Sequence, residues 1–505
     1  MNDAAATHPQ LKDDPEYADN LRRATLASAI GSALEYFDFA LYGLSTALIF
    51  NVLFFPQGDP AMATVAAFAT FGVGFAARPF GGLLFGYLGD KLGRKIILVV
   101  TILLMGSAST LIGALPTYET IGIWAPVGLV ILRLLQGLGA GAEQAGATVL
   151  MAEYSPVKRR GFYAALPFIG IQAGTLLAAF VFFLITLLPE EQMLSWGWRV
   201  PFLCSFVLIF LAVFIRSRLK ETPTFVELEK SDQVTESPFK ELSRNGLPGV
   251  FAGIGLRMAE NGGSYMFGSL SLAFVLAVAG TEGDRGLLTW GVTIGSLIGM
   301  FSVPFAGHLS DKYGRRTIYR AGALFMLLYA FPAWYLLSTA NHYVAIAVIA
   351  LGIGVGVNTM LGPQCAMLPE FFGNRHRYLG VAMARELSAV LAGGLAGVLG
   401  AYLMAVSGNN WIIMGVYLAT ISAITFGTTF LVPETRGRDL TRLDDAVKVS
   451  THESGDSDVS YAVAMVESGQ SDLFVATNTG ISRAITEAEV YGQGFDNEQA
   501  GRERP

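Results

Sequence analysis

Residues 96–115 and 411–432 carry no charged side chain, and neither does 202–215. A helix rising ~1.5 Å per residue needs roughly 20 apolar residues to cross a ~30 Å hydrocarbon core. Runs of this length recur along the chain, and composition agrees with them. Of its 505 residues 52% are hydrophobic and only 15% charged, where a soluble protein carries about a quarter charged residues. Length alone suggests about three soluble domains; the apolar runs override that and make this an all-α membrane protein.

Spans are expected at about 24–54, 61–89, 95–115, 123–152, 161–188, 199–216, 247–280, 286–310, 317–338, 342–370, 377–406 and 410–432. Several exceed the minimum length, which predicts tilted or kinked helices. Twenty-four lysines and arginines fall in the N-terminus, alternate loops and proximal C-terminus, against only Arg199 and Arg285 in the opposite set. That bias predicts an even number of spans, with both termini and the long middle loop in the cytoplasm. The first twenty residues lack an apolar h-region, so the first span is expected to target the chain to the cell membrane itself. The expected organisation is a cytoplasmic N-terminus (1–23), a six-helix bundle (24–216), a polar linker (217–246), a second bundle (247–432) and a mostly disordered cytoplasmic tail (433–505).

The chain repeats itself. GYLGDKLGRK at 86–95 returns as GHLSDKYGRR at 307–316, after the second span of each half. Parallel repeats of six spans predict two bundles related by an axis along the membrane normal, with a solute site between them at mid-membrane. Cys204 and Cys365 lie in apolar helices without disulfide or metal-ligand spacing. The glycine-rich run at 137–146 follows no strand, so it is no phosphate cradle; neither cofactor, metal nor nucleic acid is expected.

The paired loop signature resembles the major facilitator superfamily over residues ~20–440. GSALEYFDFALYG at 31–43, RLLQGLGAGAEQAG at 133–146, RRGFYAALPFIG at 159–170, RMAEN at 257–261 and PETRGR at 433–438 resemble its metabolite:proton symporter branch. That branch contains carriers of betaine and proline, 2-oxoglutarate, citrate and shikimate. The resemblance implies twelve transmembrane helices in two pseudo-symmetric six-helix bundles and no enzymatic activity. It also implies a coupling role for Arg133 and Gln136, and matches Glu143 to the branch's glutamate. Gating roles fall to Gly86, Asp90, Gly93 and Arg94, and in the second half to Gly307, Asp311, Gly314 and Arg315. Arg385 and Glu386 depart from the branch, which is usually uncharged there.

Charges inside the spans need reasons. Arg78, Arg133, Arg257, Arg320 and Arg385 are matched in number by Glu35, Asp38, Glu143, Glu260 and Glu386. Left unpaired, the arginines would cost ~12–18 kcal/mol on insertion scales. Internal ion pairs around a wet cavity are the expected answer. Glu35, Asp38 and Tyr42 share a helix face, and the repeat maps it onto Arg257, Glu260 and Asn261. Two opposed acid-bearing faces make a site for a solute and a proton. Adjacent Arg385 and Glu386 point ~100° apart, so only one is expected to face a given cavity wall. Asp90 and Asp311 are expected to cap a nearby helix and accept from a basic residue, holding one side shut. Glu153 and Glu370, with the basic groups at 158–160 and 375–377 that follow them, are expected to be charge-relay partners of the two signature loops. The function these features favour is proton-coupled uptake of a small carboxylate or zwitterionic metabolite across the bilayer. The alternatives are an uncoupled facilitator or exchanger and, from another class, a membrane sensor.

Overall fold

The computed structural model describes residues 15–55, 60–92, 94–141, 143–207, 242–279, 285–373, 376–440, 442 and 444–447. In chain order the spans are α1 (Ser28–Leu53), α2 (Pro60–Phe85), α3 (Val99–Ala114), α4 (Trp124–Tyr154), α5 (Val157–Thr186), α6 (199–207 as described), α7 (Leu247–Ala279), α8 (Leu288–Tyr313), α9 (Arg315–Ser338), α10 (His342–Phe371), α11 (Arg377–Ser407) and α12 (Trp411–Leu431). Among the described residues ten of these are long and apolar enough to cross a membrane, and α3 is a shorter apolar helix. The expected linker lies mostly, and the tail beyond 447 wholly, outside the described residues.

Inside each half, α1 packs on α5, α2 on α4, α7 on α11 and α12, and α9 on α12. The halves meet along two long seams, α5 against α8 and α2 against α11. Small residues set these approaches, since van der Waals fit rather than water exclusion drives helix association in lipid. A Cβ on Gly137 would lie 2.0 Å from the Gly74 carbonyl oxygen, and one on Gly141 equally close to that of Arg78. Large apolar side chains such as Phe251, Phe301 and Leu328 point outward, as a lipid-facing surface requires.

The helices are locally irregular where the halves meet. Thr46–Phe50 in α1 and Met266–Leu270 in α7 are π-helical turns at matching places in the two repeats, and they contact one another. A third, Ala389–Gly394 in α11, packs on α2, and a fourth, Gly352–Val357 in α10, packs within the second half. Such turns free backbone groups and re-aim side chains, and they concentrate at functional sites.

Candidate solute site and gate

A narrow cavity lies between the halves. Its polar wall is Arg78 from α2, Gln144 from α4, Arg257 and Asn261 from α7, and Arg385 and Glu386 from α11. The rings of Tyr36, Phe75 and Tyr265 supply the apolar wall. Toward one end, Tyr265 packs edge-on to Phe71 and Phe75 with ring centres 5.3 and 5.0 Å apart. There a Cβ on Gly72 would sit 2.9 Å from Val398, and one on Gly397 2.9 Å from Phe68. Helix α2 is therefore pressed against α11.

Arg78 is the hub of the charges. Its Nε donates to Glu386 Oε2 at 2.7 Å and its Nη2 lies 3.1 Å from Glu35 Oε1, all three residues being buried. Arg385 Nη2 donates to Gln144 Oε1 at 2.5 Å, and its guanidinium lies 5.3 Å from the Phe168 ring. Arg385 and Glu386 thus both face the cavity, which corrects the expectation that only one could. The ~100° between them matters less than what α11 confronts. It faces the groove where α2 and α4 meet, so Glu386 reaches Arg78 and Arg385 reaches Gln144 across it.

Buried polar groups are normally hydrogen-bonded, and several on this wall are not. Arg385 Nε and Nη1, Arg257 Nη1 and Asn261 Nδ2 are buried without hydrogen-bond partners among the described residues. Arg257 Nε lies 3.4 Å from Glu260 Oε2, which accepts from Gln364 Nε2 at 3.0 Å.

Four of the expected site residues sit elsewhere. Asp38 accepts from Ser109 at 2.8 Å and Ser205 at 2.8 Å. Tyr42 bonds Thr70 at 2.7 Å. Arg133 donates to Gln136, whose Nε2 donates to Ser109 at 2.7 Å, so a hydrogen-bonded chain runs from Arg133 to Asp38. None of Asp38, Tyr42, Arg133 and Gln136 lines the cavity. The shared-face expectation fails because three residues fall about 60° short of a turn. Glu35 turns toward α2, while Asp38 turns toward α3 and α6.

Numerical balance does not become pairwise pairing either. Arg78 takes two acids, Arg257 takes one, and Arg133 lies over the rings of Tyr42 and Phe39 at 4.1 and 4.5 Å. Arg320 donates to Thr429 Oγ1 at 3.1 Å and covers the Phe430 ring. The side chains of Asp90, Arg94 and Glu143, the surroundings of Gly86 and the whole of Gly93 lie outside the described residues.

At the end of the bundle that carries 307–316, the charges close into a network. Asp311 accepts from the Gly161 and Phe162 amides at 2.8 and 2.9 Å, capping the start of a helix in the other half. It also accepts from Arg315 Nη1 at 2.6 Å. Glu370 receives Arg160 Nη1 at 3.0 Å, Arg315 Nε at 3.3 Å and the Thr435 hydroxyl at 2.7 Å. Arg377 Nη1 meets Glu153 at 2.9 Å. Both ion-pair sets cross between the halves. Helices α5 and α8 touch where a Cβ on Gly307 would lie 2.5 Å from the Gly161 carbonyl oxygen. Gly314 has φ +103°, a backbone region that glycine adopts without strain.

The described residues between 433 and 447, assigned from sequence to the tail, form a strap over this end. Glu434 accepts from the Arg315 amide at 2.8 Å, the Arg438 carbonyl accepts from Arg160 at 2.8 Å, and Asp445 accepts from the Gly373 amide at 2.7 Å. Sequence reasoning also left Gln144, Tyr36, Phe75 and Tyr265 unassigned. Arg78 it counted as a buried charge without giving it a place in the site, and of Arg385 and Glu386 it set only one on the cavity wall. The signal for Gln144 was an amide beside Glu143 inside a Gly/Ala-rich helix. The aromatic residues carried none, because Phe and Tyr recur on every span.

The sequence matches the family described as Major Facilitator Superfamily over residues 28–393 and again over 261–454. It is 36% identical to the Shikimate transporter of Escherichia coli (strain K12) over 420 residues, which is 82% of this chain and 95% of that protein. It is 37% identical to the Proline/betaine transporter of the same strain over 431 residues, 83% and 85% of the two chains. The crystal structure of a D-xylose-proton symporter shares its fold with a TM-score of 0.64 at 21% identity, covering 83% of this chain and 99% of that one.

Proposed function

The chain belongs to the Major Facilitator Superfamily and is a multi-pass membrane transporter, and from that premise we propose that it carries a small carboxylate or zwitterionic metabolite together with a proton. The observation that carries the reading is the cavity wall. Arg78, Arg257 and Arg385 face one narrow space between the halves, and Arg385 has two buried nitrogens with no partner. A guanidinium with open donors is matched by a carboxylate, which accepts charge-assisted hydrogen bonds. Tyr36, Phe75 and Tyr265 would hold the rest of the solute.

Coupling rests on the carboxyl groups beside that wall. Glu35, Glu260 and Glu386 are buried within reach of guanidinium groups that a solute would compete for. Asp38, reached from Arg133 through Gln136 and Ser109, lies apart from this wall. A carboxylate that loses its partner in a dry site favours the neutral, protonated form. Reorientation would then open the end now held by Asp311, Arg315 and Glu370. The lysine and arginine bias supports placing that end, and both termini, in the cytoplasm of a cell or inner membrane.

The test is uptake in proteoliposomes under an imposed pH gradient, with organic acids, betaines and amino acids screened first by thermal shift. Solute should accumulate with the gradient and stop accumulating when a protonophore collapses it. Uptake indifferent to the protonophore would leave an uncoupled facilitator or exchanger.

A further inference from the structure

Three ion pairs join the two halves among the described residues, and two of them lie at the 307–316 end: Arg160 with Glu370 and Glu153 with Arg377. The third, Arg78 with Glu386, lies on the cavity wall. Its two members are not equivalent. Arg78 has a second carboxylate in its own half, since Nη2 is 3.1 Å from Glu35. Glu386 has Arg78 as its one ion-pair partner among the described residues, through contacts at 2.7 and 3.4 Å.

Separation of α2 from α11 therefore splits the charges unevenly. Arg78 leaves with Glu35 as a neutral pair inside the first half. Glu386 is left on the second half as a buried carboxylate without a counter-ion. The charged groups facing it are Glu35 with Arg78 behind the seam, Arg257 from α7, and Arg385 on its own helix; Tyr36 and Tyr265 are the titratable rings nearby. Arg257 is already taken by Glu260. Arg385 is turned toward Gln144 on α4, and it is the cation that a solute carboxylate would neutralise. From α4 the described group facing this wall is Gln144, which carries no charge.

We infer that Glu386 is the carboxylate that takes up the transported proton, binding it as Arg78 withdraws and giving it back as Arg78 returns. The inference rests on the proton-coupled reading above and names the group within it. The balance closes: one proton from water on the open side converts the Glu386 carboxylate to its acid. Re-formation of the Arg78 ion pair on the other side expels that proton. A protonated Glu386, with the Arg78–Glu35 pair intact, leaves both separated walls free of unmatched charge from this cluster. Asp38 lacks this coupling to the seam, because both of its oxygens are held by serines of its own half.

The experiment compares wild type, Glu386→Gln, Glu386→Asp and Asp38→Asn in proteoliposomes, each measured for solute counterflow and for accumulation driven by a pH gradient. Glu386→Gln should still exchange labelled solute, at a reduced rate, and lose accumulation completely. Asp38→Asn should keep accumulation, and Glu386→Asp should keep it with a displaced pH profile. Accumulation by Glu386→Gln overturns the inference, as does loss of counterflow in a protein that remains monodisperse. Should Glu386→Gln not fold, Glu386→Asp decides: an unchanged pH profile overturns it. Wild type that shows no response to the gradient defeats the proton-coupled reading instead.

Discussion

The two charged regions of this protein are built to opposite rules. At the 307–316 end, Asp311, Arg315, Glu370 and Arg160 satisfy one another, a helix start and the strap after α12. On the cavity wall, Arg385, Arg257 and Asn261 keep buried nitrogens without partners. Fully satisfied buried networks rigidify and specify one arrangement, whereas a partly satisfied one is costly until something completes it. The contrast separates a region that holds a conformation from one that awaits a solute. It also predicts different failures when each is cut.

The largest effect belongs to the closed network. Glu370→Ala leaves Arg160 and Arg315 buried without their shared carboxylate, and breaking a buried pair from one side costs about 3–5 kcal/mol. Thermal unfolding in detergent should drop by several degrees. Cysteines placed along the α5–α8 seam at that end should label faster. An unchanged melting temperature would mean that this end is not held shut by its charges, and the comparison would fail.

Arg385→Ala should invert that pattern. Among the described residues its guanidinium makes a single side-chain hydrogen bond, to Gln144, so stability should fall little. Losing a hydrogen bond between charged groups costs about 1.5–3 kcal/mol, equivalent to roughly 10–100-fold in the apparent KM for a carboxylate solute. A zwitterion or anion should feel the loss, and a neutral analogue of the same size should not. Equal losses for both would place the anion elsewhere on the wall.

These two regions were not equally legible in the sequence. The closed end was written as a motif: Gly307, Asp311, Gly314 and Arg315 recur at fixed spacing because capping a helix and turning at φ +103° need those residue types. Glu153 and Glu370 were likewise readable from their places at the ends of spans. The cavity was written in single residues whose partners sit on other helices. Glu386 contacts a residue 308 positions away and Arg385 one 241 positions away. Helix periodicity fixes which face a side chain leaves, yet not which neighbour that face meets. Asp38 shows the cost of that gap. It shares a sequence face with Glu35, and α3 and α6 claim it instead. Numerical balance between arginines and acids misled in the same way, because rings and amides neutralise the local need as well as carboxylates do.

Tyr42 carries the smallest predicted effect, and it sharpens the comparison from the side of the first half. Its hydroxyl bonds Thr70, and its ring lies under the Arg133 guanidinium at 4.1 Å, away from the cavity wall. Tyr42→Phe keeps the ring, and with it the cation–π contact, and removes one interhelical hydrogen bond, about 0.6 kcal/mol on average in membrane proteins. Transport kinetics should stay near wild type and the melting temperature should move by a degree or so. Tyr42→Ala, which also strips the ring from Arg133, forfeits a further ~0.5–2 kcal/mol of cation–π attraction. A Tyr42→Phe protein that binds its solute tenfold more weakly would place that hydroxyl in the solute site after all. The cavity wall would then have to be extended through α1.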